Sequence, residues 1–347
     1  MFGSILILNS GSSSLKFAVF DVDSSDEDGM RVTARGEIVG LDKEPHLLAH
    51  GDAGAVLTDQ HWPAGLRHAF ATVLDALLVF ADSHLGRGGL KAVGHRIVHG
   101  GTEHIAPAQV TVALLADLEA LTALDPLHMP HNIAPIHALA AARPTLPQVA
   151  CFDTAFHHTI PSVARCFGLP RALEAAGIRR YGFHGLSYEY IAGRLKKDSP
   201  ALAEGRVIVA HLGSGASLCA LQNGRSIATT MGFSTLDGLV MATRCGSLDP
   251  GVILYLGRQG RSFADIEDML YHRSGLLGLS GLSSDIRELL TSEDPHAREA
   301  IELFTYRIAT ETGALVSALG GLDGLVFTAG IGEHAPAIRA AVCARLA

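Results

Sequence analysis

Charge is what this chain has least of: only 18% of its 347 residues are Asp, Glu, Lys or Arg, against roughly 25% in an average soluble domain. Acidic residues outnumber basic ones by 35 to 27, a formal net charge of −8. That balance offers no electrostatic footprint for DNA or RNA, so nucleic acid is not an expected partner. Cysteine is sparse and scattered. Cys151, Cys166, Cys219, Cys245 and Cys343 never form a CxxC pair, which argues against a disulfide framework or a cysteine zinc cluster and suits a reducing compartment. No run of about 18 apolar residues occurs, and the opening Met1-Phe-Gly-Ser-Ile-Leu-Ile-Leu-Asn9 has no basic region and soon turns polar. Neither a spanning helix nor a secretory signal is expected, and the expected location is cytoplasmic, away from membranes.

Glycine, by contrast, is abundant at 38 residues, and 48% of side chains are hydrophobic. A chain of this length can fill two cores. Glycine without low complexity points to tight turns and to backbone lying close to a ligand.

The glycines fall in a pattern. Ile5-Leu-Ile-Leu8 ends in Asn9-Ser-Gly-Ser-Ser-Ser14, after which Leu15-Lys-Phe-Ala-Val-Phe20 resumes β-favouring residues; this predicts strand, turn and strand. The device recurs where Val207-Ile-Val-Ala210 runs into His211-Leu-Gly-Ser-Gly-Ala-Ser217 and on to Leu221, with Asn223-Gly224 marking a type I′ hairpin. A third glycine turn, Ala329-Gly-Ile-Gly-Glu-His334, follows Gly324-Leu-Val-Phe-Thr328 and precedes a helical pattern from Pro336. Strand, Gly-x-Gly, helix is an arrangement that attracts phosphate, because free backbone N–H groups gather at the helix start. Helical patterns around residues 64–84, 111–123, 132–142, 186–197, 262–271 and 295–319 alternate with aliphatic strands near 92–98, 148–153, 207–211 and 324–328. The fold class is therefore α/β. Pro144 to Pro147 marks a crossing between a domain over 1–150 and a second over 151–347.

Several polar residues sit where such folds place ligand groups. The first turn offers hydroxyls, including Ser12, backbone amides, the Asn9 amide oxygen for a Mg²⁺ shell and the Lys16 cation. Arg96 lies at a strand end in Gly94-His-Arg-Ile-Val-His-Gly-Gly101, where its planar fork suits a carboxylate, a phosphate or a structural ion pair. Arg244 occupies the loop Thr243-Arg-Cys-Gly-Ser-Leu-Asp-Pro250, and Asp285-Ile-Arg287 follows a glycine-serine stretch. Asp153 follows an apolar strand, a position equally suited to ligand binding or to capping a helix. Histidine is frequent, 18 in all, but no HExxH or comparable spacing marks catalytic zinc.

In order along nearly the whole chain, these segments, with Phe152-Asp-Thr-Ala-Phe-His157 and Tyr181-Gly-Phe-His-Gly185, resemble the acetate kinase family of the actin-like ATPase superfamily. The resemblance implies two actin-like, ribonuclease H-like domains with mixed sheets flanked by helices and a nucleotide cleft, in a homodimer. It implies reversible phosphoryl transfer from ATP to acetate, giving acetyl phosphate and ADP, with Mg²⁺. By matching motifs, Asn9 would help hold the metal and Lys16, with Ser12, the ATP phosphates. Arg96 would bind the carboxylate, with Val98, Leu127 and Phe183 around the acyl group. Asp153 would be the essential acidic residue, and His184 and Arg244 would stabilise the transferring phosphoryl group. His211, Leu212, Gly213, Ser214, Gly215, Asp285, Ile286, Arg287, Gly330, Ile331, Gly332, Glu333 and His334 would form the nucleotide site.

Departures from the family pattern accompany the match. Ser214 stands where members usually carry Asn, and Thr235 where a proline usually lines the acyl pocket. A further segment bearing a Mg²⁺-linked glutamate has no counterpart in this sequence. A propionate kinase is the alternative, since one methylene changes pocket affinity by only ~1–3 kcal/mol; a shortened nucleotide-binding protein without turnover is another. A sugar kinase or chaperone ATPase of the same superfamily fits less well, because Arg96, His184 and Arg244 suit a small anionic acceptor.

Overall fold

A computed structural model describes residues 3–11, 14–22, 29–41, 43–65, 69–86 and 88–347. The chain divides into two compact units, Met1–Asp153 and Thr154–Ala347. β8 and Asp153 thus stay with the first unit, whereas the sequence reading divides the chain after residue 150.

The first unit is built on an eight-stranded sheet. Its strands are β1 (Gly3–Ser10), β2 (Ser14–Val22), β3 (Met30–Val39), β4 (His46–Gly51), β5 (Val56–His61), β6 (Leu90–Ile97), β7 (Ala108–Gln109) and β8 (Gln148–Phe152), in the order β5-β4-β3-β2-β1-β6-β8-β7. β1 to β5 run as an antiparallel meander, while β1 with β6 and β6 with β8 pair in parallel. Parallel neighbours need crossovers, and the helices Ala69–Ser83, Val112–Ala120 and Met129–Ala142 provide them. Strand alternation settles which side chains are buried. Leu6, Leu8, Leu15, Phe17 and Val19 point into a core completed by Val73, Leu77, Val93 and Leu139. Asn9 and Lys16, out of phase with that set, are exposed and stand opposite each other on β1 and β2.

In the second unit β9 (Arg206–Leu212), β10 (Ala216–Gln222), β11 (Arg225–Thr229) and β12 (Gly324–Thr328) form a sheet in the order β11-β10-β9-β12. β9 and β10 are buried along most of their length, as strands covered on both faces are. Asn223 and Gly224 adopt φ of 52° and 71°, the backbone a type I′ turn needs, and join β10 to β11 as their sequence predicts. β12 returns parallel to β9 after the long helix Pro295–Leu319. The helix Gly185–Asp198 buries Tyr188 and Ala192 against Val207, Val209, Cys219 and Leu221.

The expected helices all form, with boundaries shifted by a few residues. Two differences matter. The meander β3–β5 extends the first sheet beyond anything the periodicity indicates, and the third glycine turn is itself a short helix, Ala329–His334, entered through Ala329 at φ 64°. Among the described residues no helix is long and apolar enough to cross a membrane.

Candidate functional site

The expected site residues divide between the units. In the first, the turn after β1 is closed by the amide of Gly11 donating to the carbonyl of Ser14 at 2.8 Å. Asn9 and Lys16 flank it on the exposed face, and Lys16 also lines a groove with Arg35, Glu37 and His50. Ser12 lies outside the described residues.

The end of β6 carries the second group. Arg96 donates through Nε to Oδ2 of Asp153 at 2.9 Å, and its Nη2 reaches the same oxygen. The Asp153 carboxylate is 5% exposed and the Arg96 side chain 24%. Parallel pairing of β6 with β8 puts these two strand ends side by side, and the amide of Asp153 donates to Ile97. The guanidinium is thereby held in one orientation by a buried carboxylate, with part of its fork facing outward. Val98 is fully buried and Leu127 half-buried.

Asn132 is a residue the sequence reading missed. Buried near the start of the helix Met129–Ala142, it accepts from the amide of Val98 at 2.8 Å and donates to the carbonyl of Ser10 at 2.6 Å. One carboxamide therefore satisfies backbone groups at the ends of both β1 and β6. The signal was a lone Asn among Met129, Ile133 and Ile136 on a buried helix face, where a polar group must have partners.

The second unit gathers a larger set. His184 is the residue before the helix Gly185–Asp198 and sits in the left-handed region at φ 58°, ψ 19°. An L-residue there costs roughly 1–2 kcal/mol, so surrounding bonds must hold it. Its Nδ1 lies 2.7 Å from Oγ of buried Ser217, which also bonds the Tyr188 hydroxyl at 2.5 Å. The ring stacks on His211 with centroids 4.2 Å apart, and His211 in turn bonds Ser187. With Nδ1 on Ser217, Nε2 faces the glycine turn: a methyl group on Gly215 would sit 3.3 Å from it.

Arg244 arrives at the same point, its Nη1 3.8 Å from that methyl position. The loop presenting it is over-determined. Met241 N donates to Arg244 O, Ser274 N to Thr243 O and Leu276 N to Met241 O, while Ala242 N donates to Ser214 O in the glycine turn. Gly275, at φ 63°, is obligatory because a Cβ would lie 2.2 Å from Met241 O. Arg244 Nη1 also donates to the carbonyl of Thr235 at 3.0 Å, and its guanidinium lies over Tyr271.

Beside this cluster opens a cavity of ≈ 620 Å³. Of the expected nucleotide residues, Gly213, Ser214, Asp285, Ile286, Arg287, Gly330, Ile331 and His334 line it. His211, Leu212, Gly215, Gly332 and Glu333 do not: Leu212 and Gly332 are buried and Glu333 is exposed. The sequence reading missed Ala242, Ser284, Leu290 and the apolar start Ala335-Pro336-Ala337 of the last helix. Asp285 caps the helix Ile286–Thr291 through the amide of Arg287 at 2.8 Å and pairs with that residue's guanidinium. The Arg287 hydrogen bonds pull the Asp285 carboxyl down to about 2, so it is an anion throughout the physiological range. The walls are mostly apolar with a few polar groups, a lining that suits a flat heterocycle carrying a polar tail.

The model of the acetokinase family matches residues 4–347. The chain belongs to that family. Among its relatives, the acetate kinase of Rhodopseudomonas palustris (strain ATCC BAA-98 / CGA009) is 54% identical over 345 residues, covering 99% of this chain and 86% of that one. The acetate kinase of Rhizobium meliloti is 46% identical, with 99% and 86% covered. Among solved structures, a propionate kinase from Francisella tularensis superposes with a TM-score of 0.89 at 36% identity, covering 99% of this chain and 88% of that one. The acetate kinase of Porphyromonas gingivalis gives 0.85 at 33%, with 98% and 86% covered. The mixed α/β architecture is accordingly the actin-like ATPase fold of these kinases.

Proposed function

We propose that the protein transfers the γ-phosphoryl group of ATP to acetate, reversibly, giving acetyl phosphate and ADP. The observation that carries the reading is the convergence of His184 Nε2 and Arg244 Nη1 on the Gly215 turn beside the 620 Å³ cavity, in a chain of the acetokinase family.

The chemistry asks for this kind of site. Acetate is an anion at neutral pH, so its oxygen attacks without a general base. What remains is positioning, and neutralising charge on the three equatorial oxygens of the transferring group. We assign Arg96 to the acetate carboxylate and His184 and Arg244 to the phosphoryl oxygens. The nucleotide base and ribose go to the cavity lined by Ser214, Asp285 to Arg287, Ile331 and His334. Lys16, with Ser12, takes the phosphates. Asp153, already committed to Arg96, acts by holding that guanidinium rather than by moving a proton.

A kinase of this kind uses a divalent metal, and Mg²⁺ fits the donors available. Asn9 offers an exposed amide oxygen at the end of β1, a hard ligand of the type Mg²⁺ takes alongside water and phosphate oxygens. When bound, the ion neutralises charge on the nucleotide phosphates. The working form is proposed to be a cytoplasmic homodimer.

Acyl phosphate formation, trapped with hydroxylamine as the hydroxamate, tests the reading with acetate, propionate and butyrate in turn. Product from acetate with ATP and Mg²⁺ is expected. Folded, ATP-binding protein that forms none would overturn it, and a clear preference for propionate would move the assignment to that substrate.

A further inference from the structure

We propose that His46, Asp59 and His61 form a binding site for a divalent transition-metal ion of the zinc, cobalt or nickel class, separate from the nucleotide chemistry. Strand geometry brings the three together. Asp59 and His61 are two apart on β5 and so share a face of the sheet. His46 on β4 stands directly opposite His61 in the antiparallel register. Leu47, its neighbour, points into the core, so the three donors lie on the opposite face.

The donor atoms of the three side chains lie within reach of one ion. The two imidazoles stack with centroids 3.8 Å apart and planes 7° from parallel. Each presents its Nε2 to the same atom, Asp59 Oδ1, at 2.8 Å from His46 and 3.3 Å from His61. All three donor atoms lie within 4.8 Å of one another. Ligands on a tetrahedral ion with bonds of about 2.0–2.1 Å stand about 3.3 Å apart, so the donor spacing fits, and the parallel rings must turn about their side-chain torsions for both Nε2 lone pairs to converge on the ion. Nitrogen donors select zinc-class ions over Mg²⁺ and Ca²⁺, and a His₂Asp set leaves the fourth position to water. The sequence conceals the site because its ligands come from two strands and match no contiguous motif.

Such an ion would clip β5, whose six residues are mostly exposed, onto β4. An ion bound only when the two strands are paired stabilises that pairing.

The test uses the full-length chain, stripped of metal by a chelator and held in excess Mg²⁺ to occupy oxygen-donor sites. Co²⁺ binding is followed by visible absorption and Zn²⁺ binding by calorimetry. Expected is a saturable event of one equivalent, weakened roughly tenfold or more in Asp59→Asn and in His61→Ala and unchanged in His137→Ala, an exposed histidine paired with Glu119. Zn²⁺ should also slow amide exchange in β4 and β5 of the wild type and not of His61→Ala. Both affected side chains are more than half exposed, so these variants should keep the fold, to be checked by circular dichroism. Absence of binding to the wild type, or affinities of both variants within about twofold of it, would overturn the proposal.

Discussion

The side-chain oxygen of Asn132 accepts the amide hydrogen of Val98 at 2.8 Å. Through its other end the same carboxamide donates to Ser10, so the residue spans from the tip of β6 to the tip of β1. Arg96 is two residues before Val98 and the glycine-serine turn begins at Ser10, so the spacing of those groups depends on Asn132.

Replacing Asn132 by Ala leaves a buried N–H and a buried C=O without partners, a cost of about 1–3 kcal/mol for each such group. We expect a stability loss of a few kcal/mol in urea denaturation. A fall in kcat/KM for acetate, read by the hydroxamate assay, should exceed any change in KM for ATP.

Gly215 tests the second half of the site. Its φ lies outside the left-handed region, so Ala fits the backbone, but the new methyl would stand 3.3 Å from His184 Nε2. Gly215→Ala is expected to keep stability within about 0.5 kcal/mol and to lower kcat on the order of tenfold through misplaced positioning groups. Unchanged kcat would remove the Gly215 turn from the reacting region.

Thr235 is 5% exposed, and its hydroxyl has no hydrogen-bond partner among the described residues, while its carbonyl receives Arg244. Thr235→Val removes the unsatisfied oxygen while keeping the shape, which should stabilise the protein by about 1 kcal/mol. A rise of roughly 2–4 °C in Tm would record it. By the resemblance that puts this position at the acyl pocket, the ratio of propionate to acetate turnover should also rise severalfold.

Acid should weaken the first unit through one histidine. Burial lowers the His95 pKa from 6.5 to about 4, although the hydrogen bond that His95 Nε2 donates to Gln148 Oε1 works the other way. Above pH 6.5 the ring is neutral whether the chain is folded or not. Between 6.5 and 4 the unfolded chain takes up a proton that the native state refuses, so stability falls as pH falls, by on the order of 3 kcal/mol in total. Urea midpoints across that window, compared between wild type and His95→Gln, isolate this contribution from that of the carboxylates: the variant should show the shallower slope.

How much of this was legible in the sequence depended on how local each signal was. The turns after β1 and β9 were legible because aliphatic runs broke into Gly and Ser within a few residues. The hairpin at Asn223-Gly224 was legible because only such residues accept two successive left-handed conformations. β5 was not, since Val-Leu-Thr-Asp-Gln-His lies on the sheet with most side chains in water and shows no buried face to give it a period. Arg96 and Asp153 could each be singled out, but the geometry of their pairing could not, because it joins residues 57 apart through a parallel register that only the folded sheet creates. Ala335-Pro336-Ala337 reads as an ordinary helix start, and its place on the cavity wall follows from tertiary packing.

The first sheet ends very differently on its two sides. β7 is two residues long, too short to template another chain, whereas β5 offers six, with Val56 59% and Leu57 37% exposed. An edge of that length invites self-association unless charge interrupts it. Asp59 is the residue that interrupts it, and it sits amid the edge strand's polar half. Neutralising Asp59 would leave the outer strand without a formal charge of its own, which favours edge-to-edge pairing at high concentration even where the fold is kept.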